Sequence, residues 1–114
     1  MVTVIFEVWP KPGRAQRYFD LAAELKPMLQ SIDGFVSVER FQSLTTEGKF
    51  LSLSLWRDEE AVRAWRTHAG HRGSQQEGRS DVFEDYRIRV AAVLRDYGMT
   101  DRGQAPPDSC AVLI

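Results

Sequence analysis

Phe50-Leu51-Ser52-Leu53-Ser54-Leu55-Trp56-Arg57-Asp58-Glu59-Glu60-Ala61-Val62 holds a change of period. Leu51, Leu53 and Leu55 alternate with Ser52 and Ser54, the two-residue repeat of a half-buried strand. After Trp56 the repeat becomes helical, with Asp58 as a good N-cap and Glu59 and Glu60 where the helix dipole favours acids. The helix continues through Ala61, Val62, Ala64 and Trp65. Upstream, Phe35 to Phe41 alternates again, and the polar linker from Ser43 to Lys49 makes a strand hairpin with a long turn. Further back, Val2, Val4, Phe6 and Val8 alternate with Thr3, Ile5, Glu7 and Trp9 before Pro10 and Pro12 end the strand. Between these, Tyr18, Leu21, Ala22, Leu25, Met28, Leu29 and Ile32 recur three or four apart, and Asp33-Gly34 supplies the stop of a helix spanning 13–32. Downstream, Gly70, Gly73 and Gly78 mark an interrupted or second short helix, and 83–93 reads as a last strand. The order βαββαβ with right-handed crossovers predicts an α+β, ferredoxin-like domain: a four-stranded antiparallel sheet with its helices on one face. That domain is expected over 1–97, with an irregular tail at 98–114 whose apolar end, Ala111 to Ile114, either packs on a neighbour or frays.

The remaining sequence is that of an ordinary globular protein. Of 114 residues, 43% are hydrophobic and 27% charged, and a mean hydropathy of -0.35 fits one modest core. Fifteen Lys and Arg against 16 Asp and Glu give a net charge of -1, so no global basic field draws nucleic acid or anionic lipid. The first strand lacks a basic lead-in and Glu7 interrupts it, which argues against a signal peptide or membrane span. The lone Cys110 excludes an internal disulfide and misses the prenylation position, so a cytoplasmic setting is expected.

Assigning the strand faces by alternation puts Val2, Val4, Phe6, Val8, Val36, Val38, Leu51, Leu53, Leu55, Ile88 and Val90 under the helices. The opposite face would carry Ile5, Glu7, Trp9, Phe35, Glu39, Phe41, Phe50, Trp56, Arg87, Arg89 and Val93. Such an aromatic face is poorly suited to water, and a second copy of the chain is its economical cover. Glu7, Glu39, Arg87 and Arg89 would then pair across the two-fold. The plainer alternative is a solvated sheet edge.

Chemistry concentrates in the stretch from Ala64 to Gln75. Helical spacing puts Trp65 and His68 on one face, where an indole would hold a flat substrate and an imidazole would move a proton near neutral pH. The plainer alternative makes Trp65 core filler and His68 a helix-end residue. His68 and His71 stand three apart, but only the nonspecific Glu77 offers itself as a third ligand, so no metal site is expected. The sequence has no phosphate loop, nucleophile elbow, or flavin or nicotinamide fingerprint.

Ile5-Phe6-Glu7-Val8 with Pro12-Gly13, Ile32-Asp33-Gly34-Phe35, and Ser54-Leu55-Trp56-Arg57-Asp58-Glu59-Glu60-Ala61 with Trp65 and His71-Arg72 resemble the antibiotic biosynthesis monooxygenase (ABM) family over about residues 2 to 95. The resemblance implies a homodimer whose sheets form a dimeric α+β barrel, with a pocket between each sheet and its own helices. It also implies oxidation of a small aromatic or quinone-like metabolite by O2 without a cofactor. The haem-degrading branch has an axial histidine ten residues after the matching tryptophan, where this sequence has Gln75, and an asparagine on the first strand, where it has Phe6 or Glu7. Haem degradation is therefore not expected. The candidate site comprises Trp65, Phe6, Phe83 and Leu53 as an apolar slot, His68 or His71 as the base, and Arg72 and Tyr86 as holders of the anion. A non-catalytic dimer that binds a small ligand in the same pocket is the alternative. A proton-transfer group inside the cavity with a hydrogen-bond partner would favour catalysis over it.

Overall fold

The structure is a computed structural model that describes residues 1–109, apart from the side chains of residues 69–71, 74 and 80. Strand β1 (Val2–Pro10) leads into helix α1 (Ala15–Gln30), and β2 (Phe35–Gln42) and β3 (Phe50–Trp56) form a hairpin. Helices α2 (Glu59–Arg66) and α3 (Ala69–Glu77) follow, then a π-helical turn (Gly78–Val82) and strand β4 (Phe83–Ala92). The sheet order is β2-β3-β1-β4, with every neighbouring pair antiparallel. This is the predicted α+β, ferredoxin-like fold, with the interrupted second helix realised as α2 and α3. Between β4 and Ser109 the chain is irregular except for a short 3-10 turn at Pro107–Ser109. Cys110 and the stretch from Ala111 to Ile114 lie outside the described residues.

Local chemistry sets the element boundaries. The Asp58 carboxylate accepts a hydrogen bond from the Ala61 backbone N–H at 2.9 Å, which satisfies one orphan donor of α2. That bond, helped by the neighbouring Arg57 guanidinium, lowers the Asp58 pKa. Gly34 turns the chain after α1 at φ 91. A Cβ there would meet Ala61 Cβ at 2.7 Å, so both the backbone angle and the fit against α2 require glycine.

The register corrects the expected strand faces. Val2, Val4, Phe6 and Val8 pair with Trp56, Ser54, Ser52 and Phe50, and directly opposed residues share a face of the sheet. Trp56, only 1% exposed, packs with Leu29, Ala61 and Val62, and Phe35 and Trp65 lean against that cluster. Phe50 joins a second cluster built on Val8, Tyr18, Leu21 and Val82. Phe35, Phe50 and Trp56 therefore lie on the helix side. Leu51, Leu53 and Leu55, expected in the core, lie on the open face, where they pair with Glu7, Ile5 and Thr3. Val36 is also corrected: a register shift between Phe35 and Ser37 turns it out, and it is 52% exposed. Alternation alone could not reveal which side of β3 is buried, because Ser54 has a structural use inside. Its hydroxyl accepts the Trp56 indole N–H at 2.9 Å.

Candidate functional site

On the helix side, β3 contributes serines where a closed core would have large side chains. Between the sheet and the helices the structure holds a cleft of about 1330 Å³. Its floor runs across all four strands in cross-strand rows, Arg40, Ser52, Phe6 and Ile88 in one and Val38, Ser54, Val4 and Val90 in the next. No large side chain stands between Arg40 and Phe6, since Ser52 is the residue between them. At the β4 edge, Ile88 and Val90 stay 45% and 48% exposed although they face the helix side. Open apolar surface of this kind inside a concavity marks a place where a ligand rather than protein completes the packing.

Aromatic rings build one end of the cleft. Phe6 lies 5.7 Å from both Phe83 and Tyr86, and Tyr18 meets Phe83 edge-on at 5.7 Å, arrangements that aromatic quadrupoles favour. Gly78 makes that packing close, since a Cβ there would sit 2.5 Å from the Phe83 ring. Trp65 lines the other end, near Trp56 and Val62. Within the cleft, the Arg40 Nε–H donates to the Tyr18 hydroxyl at 3.0 Å. Tyr18 is only 4% exposed, and this burial raises the pKa of its hydroxyl despite the opposing pull of Arg40.

Of the residues proposed from sequence, Phe6, Trp65, Arg72, Phe83 and Tyr86 line this cleft. Leu53 does not; it sits on the far face of the sheet, opposite Ile5. The His68 ring lies 5.9 Å from the Trp65 ring, outside the residues that line the cleft. The side chain of His71 is outside the described residues. Gln75, at the position compared with the haem-degrading branch, also borders the cleft. Sequence reading missed Tyr18, Arg40, Ser52 and Ser54. In sequence Tyr18 belongs to the α1 core stripe, and nothing in an isolated strand pattern distinguishes an inward serine from an outward one. No group of three or more His, Cys, Asp and Glu side chains among the described residues could share a metal ion. Among those residues no helix is long and apolar enough to cross a membrane.

The α3 wall is tied to α1 by a two-point ion pair, with Arg17 Nε and Nη2 donating to Glu77 at 2.6 and 2.9 Å. The pairing lowers the Glu77 pKa and raises that of Arg17. It fixes the helix that carries Arg72 and Gln75 against the helix that carries Tyr18.

A four-stranded antiparallel sheet with helices on one side and an aromatic cleft between the layers defines a ferredoxin-like α+β domain. The chain belongs to the antibiotic biosynthesis monooxygenase family, whose sequence model matches residues 1–77. It is 46% identical over 93 residues to a protein named jasmonate monooxygenase ABM from Pyricularia oryzae. That match spans 82% of this chain but 43% of the relative. It is 31% identical to the uncharacterized protein YqjZ of Bacillus subtilis over 68% of this chain and 67% of that one. The fold is shared with the Rv0793 protein of Mycobacterium tuberculosis, at a TM-score of 0.75 and 18% identity, covering 85% of this chain and 98% of that one. A Deinococcus radiodurans protein described as a candidate antibiotic biosynthesis monooxygenase gives a TM-score of 0.73 at 16% identity, covering 86% and 97%.

Proposed function

We propose that the chain is a monooxygenase that oxidises a small aromatic or quinone-like metabolite with O2 in the cleft between sheet and helices, using no organic or metal cofactor. One observation carries the cleft as the substrate site: it is walled by aromatic rings, yet it contains a buried hydroxyl, that of Tyr18, held by a charged partner, Arg40. The pair gives an apolar cleft a polar hold on its occupant, which a ligand-binding protein would also use, so the choice of the oxygenase over that alternative rests on the family. The family membership and the name of the Pyricularia relative support the same class of reaction.

In this reading the substrate ring lies against Trp65 at one end and Phe6, Phe83 and Tyr86 at the other. Removal of a benzylic or phenolic proton gives a delocalised anion, which Arg72 and Tyr86 stabilise as hydrogen-bond donors. The anion passes one electron to O2. The resulting radical and superoxide combine, and the peroxide loses water. For an anthrone the balance is one CH2 and one O2 converted to one C=O and one H2O. The proposed proton acceptor is His68, whose ring lies 5.9 Å from that of Trp65 but outside the cleft lining, so it acts only by turning its side chain past Trp65 into the cleft; His71 is the second candidate. We also propose that the chain works as a homodimer joined through the open face of its sheet.

Oxygen uptake with an anthrone or dihydroquinone tests the activity. The wild type should exceed the uncatalysed rate across pH 5 to 9, and His68→Ala should lower turnover by ~100-fold with binding nearly intact. Trp65→Ala should instead weaken binding, by ~1 kcal/mol or more. Uptake no faster than the uncatalysed rate would remove the oxygenase reading for these substrates and favour ligand binding.

A further inference from the structure

The charges around the cleft are lopsided. Lys26, Arg40, Arg66, Arg72 and Arg79 all border it, and among the described residues Glu39 is the only acidic one that does. The Glu39 position pairs with Leu53, so its side chain belongs to the opposite face. Five cations therefore surround an apolar hollow in a chain whose net charge is -1. Composition does not explain the cluster. Among the described residues, none of these five cations is in an ion pair with a carboxylate, whereas Arg14, Arg17, Arg57 and Arg89 all are.

Arg40 differs from the other four in being aimed. Its Nε–H is fixed on the Tyr18 hydroxyl at 3.0 Å, and its guanidinium carbon lies 5.1 Å from the centre of the Tyr18 ring. One edge of the guanidinium is thus committed to Tyr18, and the two Nη groups have no acceptor among the described residues. Tyr18 accepts from Arg40 and keeps its own proton to donate. Two converging donors, one of them cationic, match the two oxygens of a carboxylate.

We propose that Arg40 and Tyr18 form an anchor for the carboxylate of a ring-bearing substrate. This rests on the reading of the cleft as the substrate site and narrows its substrate to a flat apolar carboxylic acid. The floor fits such a molecule. From Arg40 on the β2 edge, the row passes over Ser52 and Phe6 to Ile88 on β4, three strand spacings or roughly 14 Å. The charged end meets the arginine, the serine leaves room for the first ring, and Phe6 and Ile88 receive the apolar remainder.

The test compares 2-naphthoate with 2-naphthamide, which has nearly the same shape and no charge, by calorimetric titration of the wild type, Arg40→Met and Tyr18→Phe. The wild type should bind the acid at least ~10-fold more tightly than the amide. Arg40→Met should reduce that preference to less than ~2-fold, chiefly by weakening the acid, since the charge-assisted bond exists for the acid alone. Tyr18→Phe, which removes only the hydroxyl, should reduce the preference by ~3-fold or more, and it serves as the decisive variant if Arg40→Met fails to fold. Equal affinity of the wild type for acid and amide overturns the anchor but leaves the cleft as a ring-binding site. A preference that persists in the variants also overturns the anchor and places the anion on other cations of the cleft. If neither compound binds, the reading of the cleft as the substrate site fails and the anchor fails with it.

Discussion

The two faces of the sheet are built on opposite logic. One cross-strand row on the helix side reads Arg40, Ser52, Phe6, Ile88, and the neighbouring row on the open side reads Glu39, Leu53, Ile5, Arg89. The helix side is the interior, yet β3 contributes its small polar residues there. The open side faces away from every helix, yet β3 contributes its leucines. A lone domain would place these residues the other way round, since leucine in water and serine in a core both cost free energy. The inversion makes sense if each face answers to something besides this chain's own packing: a ligand in the cleft on one side, and a second copy of the sheet on the other. Charges follow the same division. On the open face Glu7 is held by Lys49 at 2.6 Å and also by Arg89, and Lys49 lies 5.0 Å from the Trp9 ring. Glu7 thus finds its partners within its own chain.

The largest expected effect comes from breaking the open face. Leu53→Arg puts a charge at the centre of the leucine ladder and should convert a dimer burying more than ~1,600 Å² into a monomer, read as a sedimenting species of 13.0 kDa. The cleft should keep its affinity for a flat ligand unless the partner shapes it. A wild type that already sediments as a monomer at micromolar concentration would leave the leucine face unexplained and return it to the solvated-edge reading.

Next comes the floor of the cleft. Ser52→Leu restores the pattern an isolated domain would choose and should fill the space between Arg40 and Phe6. Folding should hold or improve, and binding of a flat ligand should fall by ~100-fold, because the added side chain occupies ligand volume. Unchanged binding would show that ligands do not lie on this row. Trp56→Ala, in the packed core beside the cleft, should instead cost about 3–5 kcal/mol of stability in chemical denaturation.

These contrasts show how far the sequence could be read. The order of elements was legible because every strand has a two-residue repeat, α1 and α2 have helical spacing, and Asp58 and Gly34 stand where a cap and a turn are needed. Trp65, Phe6, Phe83 and Tyr86 were legible as lining because β1, α2 and β4 follow the usual rule of apolar inside, and Arg72 only through the family's His71-Arg72 motif. β3 was not, since its repeat is as regular inverted as upright and only pairing with β1 fixes the side. The error in β3 carried Leu53 into the proposed slot and kept Ser52 out. Arg40 stayed hidden for a related reason: an arginine on an edge strand reads as solvated until Tyr18, 22 positions away in sequence, is found beneath it.

The smallest expected effect is a pH dependence that differs between the two faces. Lys49 lowers the Glu7 pKa on the open face, and Arg17 lowers that of Glu77 on the helix side. A carboxyl whose folded pKa lies below its unfolded value stabilises the fold above the unfolded pKa, near 4.5, and loses that contribution as pH falls through the folded value. Thermal unfolding temperature should therefore drop as pH is lowered below about 4.5, and Glu7→Gln and Glu77→Gln should each flatten the drop. Salt then distinguishes the faces. The Glu77 and Arg17 side chains are 35% and 32% exposed, so added salt should screen the pair and erase most of the difference between Glu77→Gln and wild type. Glu7 is 19% exposed in the single chain and would be covered further by a second sheet, so the Glu7→Gln difference should survive ~0.5 M salt, where screening is confined to a few ångströms. If both differences vanish together, Glu7 is as open to solvent as Glu77, and the second copy does not cover this part of the sheet.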